Sequence, residues 1–251
     1  MSSIESAWES DSISTESDRV ASADEILEQA YFIGDCLPNS LIRATNHSHP
    51  SIVVAGSFAL WMSVYKRKGV PPSWTPNDVD IFVTGTQASR AAKFDHVCEH
   101  FKGKAELKGH AVESVKERMN LYCVTGIPVR IVDVKLKTFS IPFSFIKYQH
   151  ASCGAHVVDN FDINIVQVWM DIYSGALTAN DDDVWYCIDN GIARVSQVVW
   201  EEAMPSVFKQ KRLELTFARM RKFTERGFYF QQPPSIFSQN ELTVPSGSWH
   251  G

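Results

Sequence analysis

The segment "SIVVAGSFALWMSVYKRKG", residues 51–69, leaves little choice of local structure. Ile52 to Ala55 read as a short buried strand, and Gly56-Ser57 turns the chain into a helix whose apolar wall includes Ala59, Leu60, Met62 and Tyr65. Lys66 to Lys68 suit the negative end of the helix dipole, and Gly69 with Pro71-Pro72 ends the element. A loop through Trp74 and Pro76 then runs into "NDVDIFV", where Asp78 and Asp80 open a second apolar strand, Val79 to Val83. Residues two apart on a strand point the same way, about 7 Å from each other. Two ionised carboxylates so placed repel, and burial makes the repulsion worse. A divalent metal, a basic partner or water must separate them.

Elsewhere the chain alternates helical and extended patterns. Ser22 is placed to cap a helix with Asp24 and Glu25 in its first turn, and Pro38 closes that segment. A helix is expected from Ser89 to Phe101, strands at Leu121 to Val124 and Val129 to Leu136, and an irregular aromatic segment from Phe139 to Gly154. "FDINIVQVW" is expected as a strand, Asp162 to Trp169, and the longest helix at Pro205 to Arg226. The resulting division is an acidic, Ser-rich tail at 1–22, an α/β core at 23–175, a mainly helical segment at 176–232 and a loop or extended arm at 233–251. The tail carries too few groups to bury to offset its ordering entropy.

At 251 residues the chain is long enough for an ample core. Its net charge of -5 argues against a protein that coats nucleic acid indiscriminately, although a local basic patch is compatible with it. The five scattered cysteines contain no CxxC pair, which fits a reducing compartment. The N-terminus resembles neither a secretory signal nor a transit peptide, and no apolar run approaches the ~20 residues that span a bilayer. A cytoplasmic or nuclear location is expected, with no membrane partner. The oligomeric state is not written in the sequence.

The order strand, Gly-Ser turn, helix, Asp-x-Asp strand has a chemical meaning. Free backbone N–H groups and a small hydroxyl at a helix N-terminus suit phosphate oxygens, and Gly56 lets a ligand approach where a Cβ would collide. Paired carboxylates with substrate phosphates are the usual donor set for Mg²⁺. "VVAGSFAL" followed by "PNDVDIFV" resembles the signature of the polymerase-β-like nucleotidyltransferase superfamily. The resemblance covers residues 50 to 170 and, loosely, 205 to 230.

It implies an α+β fold: a mixed, twisted sheet of the nucleotidyltransferase type flanked by helices, with a helical C-terminal segment. It also implies that Gly56 and Ser57 form the phosphate turn and that Asp78 and Asp80 are paired ligands for Mg²⁺ or Mn²⁺. A third carboxylate on a later strand would be catalytic. Asp162 is the choice for it, because Asn164 shares its face while Ile163 and Ile165 lie opposite. Asp133 competes, but Lys135 and Lys137 on its face read as a salt-bridged surface row. One departure is the 22-position separation of Gly56 and Asp78, with the extra residues in "KRKGVPPSWTP".

The basic helix "FKQKRLELTFARMRKFTERGF" adds Lys209 and Arg212 as triphosphate-binding groups, while Leu213, Phe217, Met220 and Phe223 are expected to face the core. His96, Cys98 and His100 do not share a helical face, and "CGAH" lacks a second pair, so neither is read as a zinc site. The implied activity is metal-dependent transfer of a nucleoside monophosphate from an NTP to a hydroxyl of nucleic acid, protein or a small molecule. The alternative is a nucleotidyltransferase-like binding or scaffold protein without catalysis.

Overall fold

The computed structural model describes residues 21–37, 52–84, 87–121, 128–148, 153–196, 199 and 206–231. The tail assigned to residues 1–22 falls almost wholly outside them, as does the arm at 233–251. Ser22 does cap the first helix, α1 (Ala23–Cys36), its Oγ accepting from the Glu25 backbone N–H at 3.1 Å.

The centre is a seven-stranded mixed sheet. Its strands are β1 (Ile52–Ala55), β2 (Val79–Val83), β3 (Val112–Leu121), β4 (Pro128–Leu136), β5 (Phe143–Lys147), β6 (Val168–Asp171) and β7 (Leu177–Ala179). They lie in the order β3-β4-β5-β2-β1-β6-β7. All neighbours are antiparallel except β2 and β5. Helix α2 (Gly56–Lys68) follows β1 directly, and α3 (Gln87–Leu107) follows β2. The remaining helices are α4 (Gly154–Val158), α5 (Asp182–Asn190) and α6 (Ser206–Glu225), and a small parallel pair joins β8 (Ile192–Ala193) to β9 (Tyr229–Phe230). This is the expected α+β architecture. Among the described residues no helix is long and apolar enough to cross a membrane.

Alternation along the strands divides the core in two. Ile52, Val54, Val79, Ile81, Val83, Val132, Val134, Phe143 and Phe145 face α1 and α3. Val53, Ala55, Phe82, Ile131 and Ile146 face the other way, towards residues of α4, α5 and α6. The same alternation puts Asp78 and Asp80 on that second side.

Three expectations need correction. Residues 162–169 are not one strand. Ile163 makes a single bridge to Val195, Asn164–Val166 is a 3-10 turn, and β6 begins at Val168. Asn164, read as sharing the polar face of Asp162, bonds instead to backbone, its Oδ1 accepting from Arg194 N at 2.7 Å, and Gln167 Nε2 likewise donates to Phe161 O at 3.2 Å. Such bonds compete with a sheet ladder. Second, β3 begins at Val112, upstream of the expected strand, and residues 122–124 lie outside the described set. Third, the aromatic segment contains β5, the strand that joins β4 to β2.

Candidate functional site

Gly56 opens α2 at a φ of +74°, a conformation that suits glycine. A Cβ there would stand 2.6 Å from Asp80 Oδ2, so the bare Cα and the carboxylate share one small space. The Oγ of Ser57 is buried with no hydrogen-bond partner. Asp80 is directly opposite Ala55 on β1 and opposite Ser144 on β5. Ser144 in turn is opposite Asp133 on β4, and Asp133 opposite Lys116 on β3. One straight row therefore runs across five strands: Ala55, Asp80, Ser144, Asp133, Lys116. Strands lie about 4.8 Å apart, which puts the backbones of Asp80 and Asp133 at roughly 10 Å.

Asp78 and Asp80 are half-buried at the floor of this face, and among the described residues neither accepts a hydrogen bond or joins an ion pair. Burial is the main force raising the proton affinity of both, most strongly for Asp80, where the Asp78 charge adds to it; Asp133 adds to it at Asp78. Lys222, Arg118 and Arg226 oppose the shift at Asp78, and Lys222, Arg118 and Arg219 oppose it at Asp80. Burial lowers the Lys222 ammonium below its ordinary range and brings the Arg226 guanidinium down to about 10. Cations from α6 thus face the carboxylates without touching them.

Helix α6 is clamped in place at two points. Asp162, almost fully buried, accepts from Thr216 Oγ1 at 2.8 Å and from Arg219 Nη1 at 2.7 Å. Arg226 Nη2 donates to Thr75 O at 2.9 Å and to Asn77 Oδ1 at 3.0 Å, and its guanidinium lies 4.3 Å from the centre of the Trp74 ring. The long connection between α2 and β2 is therefore a structural partner of α6, with Trp61 Nε1 bonded to Trp74 O at 3.0 Å.

The structure brings Gly56, Ser57, Asp78 and Asp80 together. It places Asp162 under α6, with its carboxylate engaged by that helix. The acid sharing a row with Asp80 is Asp133, which accepts from Arg118 Nε at 2.8 Å and Ser144 Oγ at 2.7 Å. Lys209 lies in α6, but its side chain is outside the described residues. Arg212 is buried at 2% exposure beside the equally buried Thr216, so the inward stripe of α6 contains polar groups as well as Phe223. Leu213 and Phe217 are only half-buried.

The basic groups aimed at Asp78 and Asp80 are Arg219, Lys222 and Arg226, which the sequence lists together in "RMRKFTER" at a spacing that puts them along one side of a helix. That spacing was the available signal for them. For Asp133 the signal was the strand register, which only the insertion of β5 fixes.

The donor set suits a divalent cation in part. Two unpartnered carboxylates, an unsatisfied hydroxyl and a cradle that a Cβ would fill all meet beside the start of α2. Among the described residues, however, no three His, Cys, Asp or Glu side chains stand close enough together to enclose an ion. Asp133 joins the pair only if Arg118 releases it.

No protein-family model matches the chain, and no curated protein resembles it in sequence. Eleven chains of solved structures match its fold. One is the CCA-adding enzyme of Thermotoga maritima, solved in complex with tRNA, at 13% identity and a TM-score of 0.48. The match covers 85% of this chain and 41% of that one, so this chain spans less than half the length of that enzyme.

Proposed function

We propose that the chain is a metal-dependent nucleotidyltransferase that moves a nucleoside monophosphate from an NTP to a hydroxyl acceptor. The observation that carries this reading is the pair Asp78 and Asp80, half-buried without a hydrogen-bond or ion-pair partner among the described residues, beside Gly56 and facing the cations of α6. Such an arrangement stores repulsion that a bound cation and a phosphate chain relieve together. The sequence pattern through Gly56 and Asp80 supports the same superfamily.

In this reading Asp78 and Asp80 hold Mg²⁺ or Mn²⁺, which supplies charge neutralisation at the phosphates and activates the attacking hydroxyl. The first N–H groups of α2 and the Ser57 hydroxyl bind phosphate oxygens. Lys222 and Arg226 offset the charge that collects on the leaving pyrophosphate. The acceptor oxygen bonds to the α-phosphorus, the bond from that phosphorus to the β-phosphate oxygen breaks, and the hydroxyl proton passes to a carboxylate. Asp133 takes that third place in preference to Asp162, because Asp133 lies in the Asp80 row while Asp162 is committed to Thr216 and Arg219. Lys209 and Arg212 become secondary to Lys222 and Arg226.

The test is incorporation of label from NTP into acid-insoluble or acceptor-bound product. Asp78→Ala should abolish Mg²⁺-dependent incorporation while leaving the fold intact by circular dichroism. Unchanged turnover in that variant refutes the assignment.

A second reading, a nucleotide-binding scaffold without catalysis, is favoured by one observation: Arg118 holds Asp133 in an ion pair. Calorimetric titration with ATP and GTP, with and without Mg²⁺, separates the two. Binding with no transfer under any acceptor supports the scaffold.

A further inference from the structure

We propose that Arg118 is a latch on the candidate metal site: it holds Asp133 in an ion pair and yields that carboxylate to the site only when a substrate phosphate takes over the guanidinium. This rests on the assignment of Asp78 and Asp80 as metal ligands above and adds the regulation of that site to it. Asp133 is gripped from two sides. From the Asp80 side, Ser144 Oγ donates to its Oδ1 at 2.7 Å, and Ser144 is itself buried directly opposite Asp80. From the sheet edge, Arg118 Nε donates to its Oδ2 at 2.8 Å, with Nη2 at 3.4 Å from Oδ1. The bond to Ser144 already draws the carboxylate towards the Asp80 strand. The grip that opposes its joining the pair is the guanidinium.

The position of Arg118 suits a latch better than a fixed strut. Lys116 is the residue opposite Asp133, and Arg118, opposite Ile131, reaches the acid on the diagonal from the edge strand β3. Its side chain is 41% exposed against 22% for Asp133, so the guanidinium is the partner that an incoming phosphate can reach. An ion pair this exposed adds little to stability and is easily opened. The charge of Arg118 also acts on Asp78 and Asp80, where it opposes the rise in proton affinity that burial causes. One cation thus serves three carboxylates, the part a divalent ion would take. A metal ion entering without nucleotide meets a second positive charge and a third ligand already engaged. Nucleotide removes both obstacles, because the planar fork of arginine fits phosphate oxygens as well as carboxylate oxygens. Metal and nucleotide should therefore bind cooperatively, each tightening the other by the same factor. As a permanent pair, Arg118 and Asp133 favour the scaffold; as a latch, they keep the site from closing on a metal ion before substrate is present.

The experiment measures Mn²⁺ binding to the full-length chain by electron paramagnetic resonance, first without nucleotide. The chains compared are the wild type, Arg118→Gln, Asp133→Asn, the double variant and Lys116→Gln, each checked for folding by thermal melt. Arg118→Gln should tighten Mn²⁺ binding by ~10-fold, within the usual range of coupling between sites. Asp133→Asn, which keeps the shape and an acceptor for Ser144, should change little alone and should abolish the gain in the Arg118→Gln background. Lys116→Gln removes an equal charge from the residue opposite Asp133 and should also change little. A non-hydrolysable ATP analogue should then narrow the gap between wild type and Arg118→Gln. No gain in Arg118→Gln overturns the proposal. So does a gain that survives Asp133→Asn or that Lys116→Gln reproduces, since either shows only a general field effect. A gap that nucleotide leaves unchanged overturns the exchange of partners. Any of these results, in a wild type that incorporates label from NTP, leaves the transferase reading in place. Mn²⁺ binding that Asp78→Ala leaves unaltered sinks the ligand assignment itself, and the latch with it.

Discussion

The face of the sheet under α1 and α3 and the face under α6 are built from different materials. On the first, Phe143 meets Phe101 at 4.9 Å, Phe139 at 5.9 Å and Phe32 at 6.0 Å between ring centres, and the buried strand residues from β1 to β4 are apolar. On the second, apolar rows give way at Asp78 and Asp80 to charge that is only partly matched. The difference teaches where folding stability has been concentrated. One side is closed by packed aromatic rings, while the other keeps a pair of carboxylates and a serine hydroxyl near several cations that bond elsewhere. Sites that bind charged ligands need that kind of reserve.

The largest effect should come from breaking the packed side. Phe143→Ala removes a fully buried ring from the strand that joins the two halves of the sheet, and should cost about 3–5 kcal/mol by denaturant unfolding. On the other side, Asp162→Ala strips Thr216 and Arg219 of their acceptor under α6. It should cost about 2–3 kcal/mol and make α6 more sensitive to limited proteolysis. A loss no larger than that of a surface substitution would show that α6 does not depend on this clamp.

Gly56→Ala should be smaller in stability, about 1–2 kcal/mol, because it forces a positive φ on alanine and pushes Asp80 aside. Its sharper effect should be a fall in ATP affinity by calorimetry.

The smallest shift has the opposite sign. Burial raises the proton affinity of Asp80 in the folded chain, so the native state binds more protons than the unfolded one between the ordinary aspartate range and the raised value. Stability from this group is full below the ordinary range and is lost as pH rises through that window. Asp80→Asn should therefore stabilise the metal-free chain at pH 7 by about 1 kcal/mol, a rise in Tm of ~2–4 °C, and should do so less at pH 4. Equal melting of variant and wild type at both pH values would mean that the carboxylate is not strained.

Much of this contrast is legible in the chain. The unit from Ile52 to Val83 can be read from apolar runs, a Gly-Ser turn and breakers at Gly69 and Pro71, because each signal is local. The N-cap at Ser22 and the extent of α6 are read the same way. What escapes is set by distant partners. β5, "FSFIK", is five residues in an aromatic stretch, and it becomes a strand by pairing with β2 on one flank and β4 on the other. β3 is an edge strand with few apolar residues, held by β4 alone. The acids show the same limit. Asp78 and Asp80 are neighbours in sequence and can be paired on paper. Whether Asp133 or Asp162 joins their row depends on which strand is inserted between β4 and β2.

That insertion has a consequence for biosynthesis. The hairpin of β3 and β4 and the pair of β1 and β2 can each form from nearby residues, but they become one surface only when Phe143–Lys147 slides between them as the wedge. A nascent chain that has emerged as far as residue 140 already owns all three aspartates of the row and its neighbour, yet has no common floor on which to set them. Whatever chemistry the chain performs is therefore withheld during translation at least until this middle strand arrives.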